Sequence, residues 1–174
     1  FVFGLGFMPI ALVVLKAREA GFSNSFVAVM YLVYTVSYSL LAIPFGKLAD
    51  RVSKRKIIGY GFIAAIVAYI VLALGTQLTV IIVGFVILGF YSAMTDGVQR
   101  AFGSTMLHPE QMASGHGFLQ ATIGISSLAG GTIGGLIWTY AGVTAALGYG
   151  AVMMCIGFLF FAFVDKYQKA LELR

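Results

Sequence analysis

Residues 57–75 read IIGYGFIAAIVAYIVLALG, an apolar run without a single charged side chain. A membrane-spanning helix needs about 20 such residues, because each one advances it by about 1.5 Å through a hydrocarbon core about 30 Å thick. Polar and apolar residues do not alternate here, which argues against a strand of a membrane β-barrel. The stretch therefore predicts a helix that crosses a bilayer.

The composition of the whole chain points the same way. Of 174 residues, 60% are hydrophobic and 10% are charged, and the mean hydropathy is +0.99. Soluble domains carry roughly 25% charged residues, so a soluble enzyme, a nucleic-acid-binding domain and a disordered segment are excluded. The single cysteine, Cys155, lies within an apolar run. We therefore expect no disulfide framework, no metal site of thiolates and no cofactor.

Apolar runs divide the chain into six parts, at residues 1–15, 26–45, 57–74, 78–94, 115–138 and 143–164. We predict an all-α membrane protein whose six transmembrane helices form a single bundle over residues 1–174. The first run is short and has no positively charged flank, unlike a secretory signal peptide. We expect that the sequence begins inside a span, as an N-terminally truncated part of a larger membrane protein.

The distribution of positive charge predicts the orientation of the bundle. With six spans, the loop after span two, the loop after span four and the carboxyl tail share one face. Nine of the eleven Lys and Arg residues lie there, and the other two are Lys16 and Arg18. By the positive-inside tendency, this face and the C-terminus are predicted to be cytoplasmic.

The most distinctive loop covers residues 44–61 and reads PFGKLADRVSKRKIIGYG. The segment from Pro44 to Gly46 predicts the end of one helix, and Ile57 predicts the start of the next. Between them, Asp50 is one acid among five cations. It either softens the repulsion among these cations, a surface effect of about 0 to 1 kcal/mol, or makes a specific contact.

This loop resembles the cytoplasmic motif of the major facilitator superfamily, written G-x-L-a-D-r-x-G-r-k and found between the second and third helices of each six-helix half. Ser53 stands at the second glycine of the motif, and the matching residues are Gly46, Leu48, Asp50, Arg51, Lys54 and Arg55. The runs YLVYTVSYSLLAIPFGKLADR, YSAMTDGVQRAF and HPEQMASGHGFLQATIGISSLAGGTIGGLIW are similar to the carboxyl-terminal half of bacterial members. The resemblance implies a half transporter with a 3+3 inverted repeat in a bacterial inner membrane. It also implies alternating-access transport of a small solute, with the missing amino-terminal half as partner.

Asp96 and Arg100 form a second charged constellation, at the end of span four. They are four residues apart with the acid first, the favourable order on one helix face. They either anchor the depth of the helix in the membrane or join Asp50 and Lys54 in a cytoplasmic latch. Because charges near the membrane are usually functional, we favour the latch.

Candidate solute contacts come from two spans. Tyr34 and Tyr38 share a face of span two, as a cavity wall or as a packing stripe. Gln120 places an amide inside span five, where it needs a polar partner. In the same span, Gly130 with Gly134 and Gly131 with Gly135 have the spacing of close helix packing. No acidic or basic residue lies in the middle of the six spans, which favours a neutral or hydrophobic solute.

No catalytic motif supports an enzyme. Two classes of function remain: half of a secondary transporter, acting with its partner half, a small solute and the lipid bilayer, or a membrane module that does not transport, such as a structural or receptor-like bundle.

Overall fold

The computed structural model describes the backbone of residues 2–172, with the side chains of residues 2–108 and 110–164. Regular structure in the described part is entirely helical. A short 3-10 turn, Pro109–Gln111, precedes the last helix, and the helices are α1 (Val2–Leu5), α2 (Ile10–Glu19), α3 (Asn24–Arg51), α4 (Lys54–Leu74), α5 (Leu78–Ser104) and α6 (Met112–Glu172).

Four helical segments are long and apolar enough to cross a membrane. They are α3, α4, α5 and the part of α6 from Met112 to Val164. The absence of strands among the described residues and the hydropathy of these helices confirm the prediction of an all-α membrane protein.

The first apolar run, residues 1–15, is not the single helix that the sequence predicts. Residues 6–9 are non-helical and separate α1 from α2; we call them the helix break. Pro9 explains it, because proline has no N–H to bond the carbonyl oxygen four residues earlier and its ring crowds that oxygen. That oxygen belongs to Leu5 and accepts a hydrogen bond from the Tyr149 hydroxyl at 3.1 Å instead. The Met8 N–H donates to the Tyr69 hydroxyl, also at 3.1 Å.

The helix after the break also extends further than predicted. Lys16 and Arg18, expected in a loop, lie in the last turn of α2. Lys16 is buried together with Val13, Val14 and Ala17, because its apolar stem packs with these side chains on the inner face of the helix.

The predicted helix end at Pro44 to Gly46 is wrong as well, since α3 continues through Pro44 to Arg51. Membrane helices tolerate an interior proline where neighbouring helices support them. Beside Pro44, the ring of Phe45 lies edge-on to that of Phe90 on α5, with centroids 5.9 Å apart. Asp50 is therefore helical, and the turn before α4 is reduced to Val52 and Ser53.

The long helix α6 contains a reversal at Gly142, whose φ of 83° and ψ of 171° are non-helical. Glycine adopts such a positive φ without a steric penalty. Before this residue, Gly130 lies against the end of α1 and Gly134 against the helix break; after it, Gly150 lies against the break and Gly157 against α1. The order of contacts is inverted, so the two parts of α6 run antiparallel on either side of the first segment.

Helix α5 is the centre of the core and packs against both α3 and α4. Tyr69 and Leu72 of α4 and Ile81 and Phe85 of α5 are almost completely buried. Gly89 permits the approach of α3, since a Cβ atom added there would lie 2.5 Å from Cβ of Ser37. This contact brings α3 close to the middle of α5.

Candidate functional site

A cavity of about 220 Å³ lies where α1, the helix break, α5 and α6 meet. We call it the Asp96 cavity; its lining residues are Phe3, Phe7, Tyr91, Asp96, Gln99, Arg100, Gln120, Ile123 and Ser127. Two helices supply the polar groups at regular spacing. Asp96 and Arg100 are one turn apart on α5, and Gln120, Ile123 and Ser127 share one face of α6.

The cavity combines opposite charges with aromatic walls. Asp96 is half-buried, whereas Arg100 and Gln120 are exposed in this chain. Phe3, Phe7 and Tyr91 supply an apolar wall on which a ring or alkyl group can pack. Such a site can hold a small molecule by its polar group while burying its apolar part.

Tyr34 and Tyr38 share one face of α3 as predicted. Their rings are nearly parallel, with centroids 6.4 Å apart. The Tyr34 hydroxyl is hydrogen-bonded to the Ser92 hydroxyl at 2.9 Å. The structure does not bring these tyrosines together with Gln120, because Tyr34 lines a smaller space of about 50 Å³ beyond Phe7 and Tyr91. Phe7 and Tyr91 form the wall that separates the two spaces.

Asp50 pairs with Lys54 across the short turn, at 3.0 Å between a carboxylate oxygen and Nζ. The Asp50 side chain is 72% exposed and the Lys54 side chain 25% exposed. Both line a cavity of about 180 Å³ together with Tyr38 and small residues of α5.

The expected grouping of this pair with Asp96 and Arg100 is not present. The α5 residues that face Asp50 are spaced four apart: Ala93, Gly97 and Ala101. Because of this spacing, these three residues share one face of α5. Asp96 and Arg100 lie on another face of the helix, toward α6. Among the described side chains, no hydrogen bond or ion pair joins Asp50 to the start of α6.

The other residues of the loop motif have separate positions around the turn. Gly46 lines the same cavity as Asp50. Leu48 and Arg51 are exposed. Arg55 is half-buried, and its guanidinium carbon lies 5.5 Å from the centroid of the Phe102 ring, so it anchors the start of α4 to the end of α5.

Sequence reasoning missed the tyrosines that support the helix break. Tyr69 and Tyr149 are remote in sequence from the backbone groups they bond, by 61 and 144 residues. The available signal was Pro9 within an apolar run, since a proline there frees a backbone carbonyl that must find another donor.

Known proteins similar to this chain are transporters by name. The model of the Major Facilitator Superfamily matches residues 1–173. An uncharacterized MFS-type transporter of Methanocaldococcus jannaschii is 26% identical over 135 residues, which are 78% of this chain and 34% of that protein. The MFS-type transporter ppzB of Metarhizium rileyi is 23% identical over 139 residues, covering 80% of this chain and 29% of its own length. The MFS-type transporter ppzB of Metarhizium majus is 24% identical over 123 residues, which are 71% of this chain and 27% of that protein. The chain thus spans about a third of the length of these relatives.

Proposed function

The chain belongs to the major facilitator superfamily, and from this premise we propose that it supplies the carboxyl-terminal half of a secondary active transporter. Membership of this family and the names of the relatives point to membrane transport and away from an enzyme. The proposal adds that transport proceeds by alternating access, with a small solute held between this chain and an amino-terminal half. The length of the relatives leaves room for such a second half.

Six spans in a 3+3 inverted repeat are part of the proposal. Two features support this count. The helix break divides one pass of the chain into α1 and α2, and the reversal at Gly142 divides α6 into two antiparallel passes. With α3, α4 and α5, this makes six passes. Inverted repeats of three helices each are a known architecture of transporters.

The observation that carries the proposed function is the Asp96 cavity beside the helix break. Transporters typically form their binding sites where a discontinuous helix exposes irregular backbone to a cavity. Here Phe7 of the break and Gln120 of α6 line the same space as Asp96 and Arg100. We propose that this cavity is the contribution of this chain to the solute site. Tyr34 supports the apolar wall of this cavity from the smaller space behind Tyr91, and Tyr38 stacks on Tyr34.

Solute flux tests transport against the alternative of a non-transporting module. The complete protein, reconstituted into sealed vesicles, should move a small solute across the bilayer with saturation kinetics. Protein-free vesicles are the control. A complete protein that binds a solute but moves none of a broad solute panel would favour a receptor-like or structural bundle.

The orientation of the bundle gives a prediction of its own. We propose that the turn at Ser53 and the C-terminus face the cytoplasm of a bacterial inner membrane, because nine of eleven Lys and Arg residues lie on that face. In a variant whose exposed Cys155 is replaced by alanine, a membrane-impermeant maleimide should label Ser53→Cys only from the cytoplasmic side. Ser23→Cys, in the turn between α2 and α3, should react only from the opposite side. Labelling of both positions from one side would contradict the six-span topology.

A latch at the cytoplasmic face is the last part of the proposal. Asp50 is held by Lys54 but remains largely exposed, so its carboxylate can also contact a helix start of the partner half. Such a contact contributes about 0.3 to 1 kcal/mol when exposed and up to about 2 when partly buried. Asp50→Asn should therefore shift the transporter several-fold toward its cytoplasm-open state.

Distances between spin labels across the cytoplasmic face measure this shift. Arg100→Ala is the matched comparison, because Arg100 lines the Asp96 cavity and not the Asp50 cavity. Since the two residues share no partner, the effects of the double variant should add. If the wild type and Asp50→Asn populate the two states equally, Asp50 is not part of a latch, and the charges of this loop only set the orientation of the chain in the membrane.

A further inference from the structure

A groove of about 400 Å³ runs between the start of α4 and the part of α6 that follows Gly142. We call it the α4–α6 groove. The residues that carry the argument are Arg55, Lys56, Tyr60 and Ile63 on one wall and Phe158 and Phe161 on the other. It is separate from the Asp96 cavity, with which it shares no lining residue.

The two ends of the groove differ in chemistry. At its mouth, Lys56 is exposed in the first turn of α4, and Arg55 lies next to it. Ile63 is seven residues further along the helix, which is about 10 Å deeper. There the walls are aromatic and aliphatic, and the ring of Phe62 packs against Phe158 and Phe161 with centroid distances of 6.3 and 5.8 Å. A basic mouth thus leads into an apolar channel.

The groove opens on a face of the protein that is suited to lipid. Beyond Lys56, the exposed side chains of α4 form a stripe with helical spacing and no charge: Tyr60 56%, Ile63 44%, Val67 42%, Ile70 46% and Leu74 76%. The facing part of α6 is also apolar where it is exposed, at Val152, Ile156, Leu159, Phe160 and Phe163. Water does not solvate such a surface well, so hydrocarbon is its natural environment.

We propose that the α4–α6 groove binds one anionic phospholipid. Lys56 holds the phosphodiester, and one acyl chain lies along Ile63, Phe158 and Phe161. A basic pocket between membrane helices is the arrangement that recognises acidic headgroups. The apolar walls select a lipid over a free phosphate, which would leave most of the groove empty. This inference depends on the membrane location of the chain and not on transport.

Native mass spectrometry of the complete protein tests the site. The purified protein is delipidated and exposed to equal amounts of phosphatidylglycerol and phosphatidylcholine with identical acyl chains. The wild type should retain one phosphatidylglycerol in preference to phosphatidylcholine. Lys56→Gln should weaken phosphatidylglycerol binding about fivefold. Ala162→Trp, which fills the groove from an exposed position, should abolish retention.

Matched variants separate this site from general lipid adhesion. Lys47→Gln removes an exposed cation of the same face, and Val152→Trp adds an indole to the same part of α6; neither position lines the groove, and both variants should bind as the wild type. Equal retention of the two lipids, or an equal loss in Lys47→Gln, would overturn the proposal. Binding of soluble glycerol phosphate as tight as that of the lipid would overturn it too. A protein that binds phosphatidylglycerol but transports nothing would refute only the proposed transport function.

Discussion

Replacing Gly130 with alanine should destabilise the protein more than the same change at any other glycine of α6 that has helical backbone angles. The new Cβ would lie 2.5 Å from the Leu5 carbonyl oxygen and 2.7 Å from that of Gly4. Both obstacles are backbone atoms at the end of α1, so no side-chain rotation relieves the clash. Overpacking of a well-packed core typically costs 1 to 3 kcal/mol, which lowers the unfolding midpoint by about 2–4 °C per kcal/mol.

Gly135→Ala is the control, because an added Cβ there meets no atom within 4 Å. Alanine is the better helix former, so this variant should be neutral or slightly more stable. The measurement is the thermal unfolding midpoint of the complete protein in detergent. If both variants melt at the same temperature, α1 does not pack against α6 as described. The predicted packing role is confirmed for Gly130, Gly131 and Gly134, whose added Cβ atoms would meet α1 or the helix break, whereas Gly135 packs against no helix in the described part of the chain.

Gln120→Leu should raise the KM for transport about tenfold while the yield of folded protein stays near that of the wild type. The amide lines the Asp96 cavity and is exposed in this chain, so its loss disturbs no packing within the bundle. A hydrogen bond to the solute is worth about 0.5–1.5 kcal/mol, or about twofold to twelvefold in affinity, and the upper end applies in a site shielded from water. The measurement is initial-rate uptake of the solute that the reconstituted protein carries.

The same substitution nine residues earlier is the matched control. Gln111 is exposed, lies in the 3-10 turn and does not line the Asp96 cavity. Gln111→Leu should leave KM unchanged. If Gln120→Leu also transports with the kinetics of the wild type, Gln120 is not a solute contact.

The sequence predicts the ends of a helix well where the composition of one apolar stretch determines them. The apolar run at residues 57–74 and helix α4 both end at Leu74, because Gly75 follows this residue. Helix α5 begins at Leu78, the first residue of the apolar run at 78–94, but it continues ten residues past the end of that run. In that extension, the hydroxyls of Thr95 and Ser104 donate to the carbonyl oxygens of Tyr91 and Arg100, so polar residues stay within the helix.

Two prolines show why local signals were insufficient. Pro9 interrupts a helix and Pro44 does not, although both stand within apolar runs. The difference is tertiary: Tyr69 and Tyr149, from distant helices, bond the backbone groups released near Pro9. Nothing in the residues around either proline encodes these partners.

The candidate site was predictable residue by residue but not as a group. Asp96, Arg100 and Gln120 were all selected from the sequence, yet they were divided between a latch and a solute cavity. In the structure all three line one cavity, together with Phe3 of α1 and Phe7 of the helix break. Which faces of α3, α5 and α6 meet depends on contacts between residues far apart in sequence, such as Gly89 with Ser37, and helical periodicity alone does not contain them.

The helix break also determines how forces pass through the bundle. Proline has no N–H, so no arrangement of this chain can restore the helical hydrogen bond between residues 5 and 9. With the Met8 N–H and the Leu5 carbonyl bonded to the hydroxyls of Tyr69 and Tyr149, the first segment is two rods connected by a joint. The rod α1 is packed against α6, and the rod α2 mainly against α3. Within the first segment, tilting of α3 would therefore be passed first to α2, while α1 remains packed against α6.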